Sequence, residues 1–65
     1  MLKYRCYLLD RLGAIRAVEV LKMDHDDCAI ALARRVLEGR PQYRALELWR
    51  GLRRVHLETN VPASS

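Results

Sequence analysis

The run DHDDCAIALARRVLEG, residues 24–39, constrains the chain most, because it carries start and stop signals for one amphipathic helix. Asp24 is placed to cap the free N–H groups of the first turn. Asp26 and Asp27 follow where the positive end of the helix dipole favours acids, and Arg34 and Arg35 lie toward the other end. Gly39 is expected in the left-handed C′ conformation, and Pro41 prevents resumption. Between them Ala29, Leu32, Ala33 and Val36 repeat at helical spacing. Cys28 and Leu37 flank this stripe, and Ile30 lies at its margin. Such a helix buries one broad face, and its alanines permit close approach to what it covers.

Two strand pairs flank the helix. KYRCYLL (3–9) and AIRAVEVL (14–21) enclose Asp10-Arg11-Leu12-Gly13, where Asp opens a type I turn and Gly takes the positive φ behind it. A three-residue loop with a Gly bulge sets Leu9 opposite Ile15, Tyr7 opposite Ala17 and Arg5 opposite Glu19. The other face then pairs Leu8 with Arg16, Cys6 with Val18 and Tyr4 with Val20. YRALELW (43–49) and LRRVHL (52–57) flank Arg50-Gly51, read as a two-residue turn. That register sets Trp49 opposite Leu52, Glu47 opposite Arg54 and Ala45 opposite His56. The fold class expected is α+β, in the order β-β-α-β-β. It is a four-stranded, mainly antiparallel sheet with the helix on one face; the sequence does not fix the strand order, for which 2-1-3-4 is taken. Cys6, Leu8, Val18, Val20, Leu46, Leu48, Val55 and Leu57 are expected beneath the helix. Residues 1–58 form one domain in this reading, and 59–65 a disordered tail.

One helix covers one face of a sheet. The other face is expected to hold Tyr7, Leu9, Ile15, Ala17, Trp49 and Leu52, with Glu47 and Arg54 as an ion pair at the rim. A solvated sheet face normally alternates to polar residues, and an apolar patch rimmed by charge marks an interface. A 65-residue chain also has a small core that association can support. The partner expected is a second copy, as a homodimer; another protein would leave the same mark.

Chemistry has few places to reside. His25 and Cys28 are three apart on the helix, but a zinc site needs four ligands and the only other cysteine is Cys6, in a strand. Cys6 and Cys28 are both expected on the core side, as inert thiols. His56 is expected on the outer strand face. Each glycine is explained by a turn or a cap, so no phosphate-cradling loop is present. No catalytic residue, metal or cofactor is assigned, and an enzyme is not expected. The alternative function is an arginine-rich nucleic-acid-binding domain, because ten arginines give most of the +4 net charge. Its contacts would be Arg44, Arg50 and Arg53, with Trp49 stacking on bases. The cysteine content points to a reducing, cytoplasmic location. MLKYRCYLL is too short and too polar for a signal peptide or membrane span, so no membrane role is expected.

The stretches YRCYLLDRLGAIRAVEV, DHDDCAIALAR and RPQYRALELWRGLRRV resemble a family of very small bacterial proteins of unknown function. The similarity covers roughly residues 4–57, and ELWRGLRRV is its most specific piece. The resemblance implies a β-β-α-β-β domain in the bacterial cytoplasm. It supplies no activity, ligand or catalytic residue.

Overall fold

The computed structural model describes residues 1–60. The chain is an α+β unit with elements β1 (Leu2–Leu9), β2 (Ile15–Met23), α1 (Asp26–Glu38), β3 (Ala45–Arg50) and β4 (Arg53–Thr59). The four strands form one open antiparallel sheet in the order β2-β1-β3-β4, as expected. β2 and β3 each run antiparallel to β1, so they run parallel to one another. The helix connects them and lies over one sheet face.

That face and the helix make the core. Tyr4, Cys6 and Leu8 from β1, Leu46 and Leu48 from β3, and Ala29, Ala33 and Leu37 from α1 are buried. The three helical residues are four apart, so they stack along one line facing the sheet. Two of them are alanines, which keep the helix close to the two central strands. Leu2, Ala17, Leu21, Met23, Ile30, Val36, Tyr43 and Val55 pack around this centre.

The helix starts later than the sequence suggested. Its N-cap is His25, with extended backbone and no side-chain cap bond, and Asp24 lies outside it. Asp26 serves a tertiary purpose instead: its carboxylate accepts from the Tyr4 hydroxyl and, at 3.2 Å, from Arg50. Gly39 closes the helix at φ −80°, outside the left-handed region. Asn60 supplies the closure from afar. Its side-chain amide lies 3.2–3.5 Å from the carbonyls of Leu37, Arg40 and Tyr43, and its backbone N–H donates to Arg44 at 2.7 Å. Ordered structure therefore passes residue 58 through Thr59 and Asn60; the remainder of the expected tail, 61–65, lies outside the described residues.

The first turn forms as expected. Gly13 has φ +82° and donates to the Asp10 carbonyl, while the Asp10 carboxylate accepts from the Leu12 and Ala14 N–H groups. The register beyond it does not. Leu9 faces Ile15, but a second bulge at Arg16 then sets Leu8 opposite Ala17, Tyr7 opposite Val18, Cys6 opposite Glu19 and Arg5 opposite Val20. One extra residue transfers every later side chain to the other face. The physical gain is legible: the unbulged register would put Arg16 and Lys22 under the helix. The bulge puts Ala17, Leu21 and Met23 there and turns Val18 and Val20 outward, 52% and 53% exposed. Glu19 also turns inward, where Arg40 meets it in an ion pair. The expected Arg5–Glu19 pair is therefore not formed.

The second hairpin differs in the same way. Arg50 pairs with Arg53, so the turn is Gly51-Leu52 and not Arg50-Gly51. Gly51 has φ +62°, which suits the first central position of a type II′ turn. Trp49 faces Arg54, and a bulge at Val55 follows, setting Leu48 opposite His56 and Glu47 opposite Leu57. Val55 packs on the core as expected, but His56 turns toward the helix side and Leu57 turns outward, 44% exposed.

Candidate functional site

The two bulges determine what the helix-free face presents. Reading across β2, β1, β3 and β4, one row is Ile15, Leu9, Ala45 and Thr59. The next is Val18, Tyr7, Glu47 and Leu57, and the third is Val20, Arg5, Trp49 and Arg54. Lys22 and Lys3 stand opposite each other in the last row. Rows on one face lie about 6.7 Å apart along the strands.

Of the residues expected on this face, Tyr7, Leu9, Ile15, Glu47, Trp49 and Arg54 are brought together. Ala17 is not, because the Arg16 bulge turns it toward the core. Leu52 is fully exposed at the tip of the β3–β4 turn. Val18, Val20 and Leu57 join the face instead. The swap makes the face more apolar than the sequence reading had it, with Ile15, Val18, Val20 and Leu57 each about half exposed. Alternation alone could not find these three. The clue available was that an unbulged β2 buries two cations.

The expected Glu47–Arg54 ion pair is absent. Trp49 donates its indole N–H to Glu47 at 2.9 Å, which ties together two side chains two residues apart on this face. Arg5 and Arg54 flank Trp49 on the neighbouring strands. The face is polarised along the strands. Lys3, Lys22, Arg5 and Arg54 gather at the end where β1 begins, whereas the Ile15–Leu9–Ala45–Thr59 row carries no charge and the Asp10–Arg16 ion pair beside it is internally balanced. Glu47 is the one carboxylate among the residues of these rows.

The arginines of the nucleic-acid alternative are mostly engaged elsewhere. Arg50 is tied to Asp26, and Arg44 reaches the Arg11 carbonyl at 3.4 Å. Arg53 is exposed beside the Gly51-Leu52 turn.

On the helix side, polar groups form three small clusters. Tyr4, Asp26 and Arg50 make the first; Asp26 and Arg50, with Leu2, His25 and Asp27, line a surface depression of about 340 Å³. Burial pushes the Tyr4 phenol above its ordinary value, and the Asp26 carboxylate adds to this. Glu58 accepts from His56 at 2.8 Å and Arg34 at 3.1 Å, and these bonds hold its carboxyl below the usual range. Arg40 and Glu19 make the third. Burial, with Glu19 nearby, pushes the Cys6 thiol up to about 11, so Cys6 stays protonated. Cys28 was expected to be buried; it is exposed, and its sulfur lies 3.5 Å from His25. Among the described residues no group of three or more His, Cys, Asp or Glu side chains is placed to hold a metal ion, and no helix is long and apolar enough to cross a membrane. No protein-family model, curated protein or solved structure matches the chain.

Proposed function

We propose that this chain is a small interaction module that self-associates as a homodimer through its helix-free sheet face. The observation that carries this reading is the outward turn of Val18, Val20 and Leu57, which join Ile15, Leu9, Tyr7 and Trp49 in one apolar surface. Three rows across four strands and a last row across two make roughly 450 Å² in projection on each copy. With side-chain relief, two such faces bury about 1,200 Å² in all, the lower end of specific interfaces. Trp49, hydrogen-bonded to Glu47, is the central anchor of this contact. Sheets packed face to face by apolar rows are a common way to complete a sandwich core.

The cationic end of the face supports a second reading, in which a single-stranded nucleic acid lies there against Trp49, Arg5, Arg54 and Arg53. The two readings part on salt: counterion release makes the second strongly salt-sensitive, whereas apolar burial resists salt.

The test is an NMR dilution series on the labelled protein. Self-association predicts concentration-dependent shifts at Tyr7, Val18, Val20, Trp49 and Leu57 with the α1 amides unmoved. Trp49→Ala should abolish the dependence. Shifts that stay constant from micromolar to millimolar protein would reject the dimer.

A further inference from the structure

We infer that the two copies pack face to face with their β1 strands antiparallel, so that Glu47 of each copy lies between Arg5 and Arg54 of the other. This rests on the dimer reading above and specifies its geometry.

A face-to-face dimer with two-fold symmetry has its axis in the plane of the interface. If the axis runs along the strands, the ends where β1 begins coincide. Lys3, Lys22, Arg5 and Arg54 of both copies then crowd one end of the interface, with no carboxylate of these rows among them. Like charges opposed across an interface disfavour a pairing strongly. If the axis runs across the strands, the order of the rows inverts while each strand lies over its own counterpart. The Arg5–Trp49–Arg54 row of one copy lies over the Tyr7–Glu47–Leu57 row of its partner. Glu47 occupies the β3 position in its row, and Arg5 and Arg54 occupy the β1 and β4 positions in theirs, one strand to either side. Adjacent strands are about 4.8 Å apart and stacked sheets about 10 Å apart, within reach of arginine side chains. The same inversion lays Arg5 over Tyr7, where a guanidinium meets an aromatic face, and Val20 over Val18. Lys3 and Lys22 overlie the uncharged Leu9–Ile15 row, from whose edge their ammonium groups can reach solvent. The placing of Glu47, the one acid, one row from the arginines is what separates the two arrangements.

Cross-linking tests the arrangement in a Cys28→Ser background, which leaves only the buried Cys6. Antiparallel packing puts Lys3 across from the Leu9–Ala45 row of the partner, and leaves the two Lys3 side chains three rows, about 20 Å, apart. A bis-maleimide spanning about 10 Å should therefore join Lys3→Cys protein to Ala45→Cys protein when the two are mixed, and should not join Lys3→Cys protein to itself. The Glu47→Arg variant should dimerise at least about tenfold more weakly, and Arg5→Glu in the same chain should restore most of the loss. Cross-linking of Lys3→Cys protein to itself, with no mixed product, would overturn the antiparallel geometry while leaving the dimer in place. A dimer by mass that gives neither product would place the contact on another surface and overturn the inference. A monomer by mass would remove the dimer reading itself.

Discussion

The two faces of this sheet hold similar numbers of aliphatic residues yet differ in how their polar groups are treated. On the covered face each inward polar group has a partner: Tyr4 with Asp26, Glu19 with Arg40, and Glu58 with His56 and Arg34. On the open face the cations Lys3, Lys22, Arg5 and Arg54 have no ion-pair partner among the described residues, and the aliphatic residues stand about half exposed. The comparison shows one side covered by the chain's own helix and one side open, with its cations unpaired among the described residues.

The largest effect that separates the faces is a core truncation. Leu46 is fully buried between the helix and the sheet. Leu46→Ala should cost about 2–5 kcal/mol in chemical denaturation. Val18→Ala on the open face should change the stability of the dilute, dissociated chain by no more than about 0.5 kcal/mol. If Val18→Ala proved as costly as Leu46→Ala in dilute solution, the faces would not differ as described.

A smaller effect lies at the turns. Gly51 has φ +62° with nothing within 4 Å of a Cβ built there, so Gly51→Ala meets backbone strain alone. It should lose roughly 1 kcal/mol by denaturation. Gly39, at φ −80°, should tolerate alanine better.

The covered face contributes an acid limb to stability through Glu58. The hydrogen bond from His56, then that from Arg34, lowers the Glu58 carboxyl below its ordinary 4.5. A depressed folded value means the unfolded chain binds the proton more readily. The contribution of Glu58 is therefore present above pH 4.5 and is lost as pH falls through the lowered value. Denaturant titrations above and below this window should show the loss, and Glu58→Gln should reduce it. A loss undiminished in Glu58→Gln would assign it to other groups. Asp10, lowered below 3.8 chiefly by its bond from the Ala14 N–H, should add a further loss as pH falls through its own lowered value.

The subtlest contrast is between the two thiols. Cys28 is exposed, while Cys6 is buried with its pKa raised to about 11. An aromatic disulfide reagent at neutral pH should modify one thiol per native chain quickly, and the second only on unfolding. Fast reaction of both would show that the Cys6 side of the sheet opens readily.

Much of this contrast was legible in the sequence. The acid-first, arginine-last pattern of 24–39 located the helix, and Asp10 with Gly13 located the first turn, so the fold class followed; the strand order has no such mark in the sequence, because no local signal says which strands of the two hairpins adjoin. The central strands were read correctly, because Cys6, Leu8, Leu46 and Leu48 alternate without interruption. The edge strands were not. A bulge is one residue long and has no sequence mark of its own, yet those at Arg16 and Val55 reverse the faces of Val18, Val20, His56 and Leu57. Asp24 resembled a cap by type, but Asp26 is the acid that is used, through Tyr4 and Arg50 over 22 and 24 residues. Such long-range bonds leave no local pattern. Asn60, in a stretch without periodicity, closes the helix for the same reason.

The most direct measurement is the solution mass by light scattering across a concentration series, at low and at high salt. The account predicts a dimer of the 7.6 kDa chain that persists in high salt and dissociates in Trp49→Ala and Val20→Asp. A monomer at every concentration and at both salt levels would contradict it.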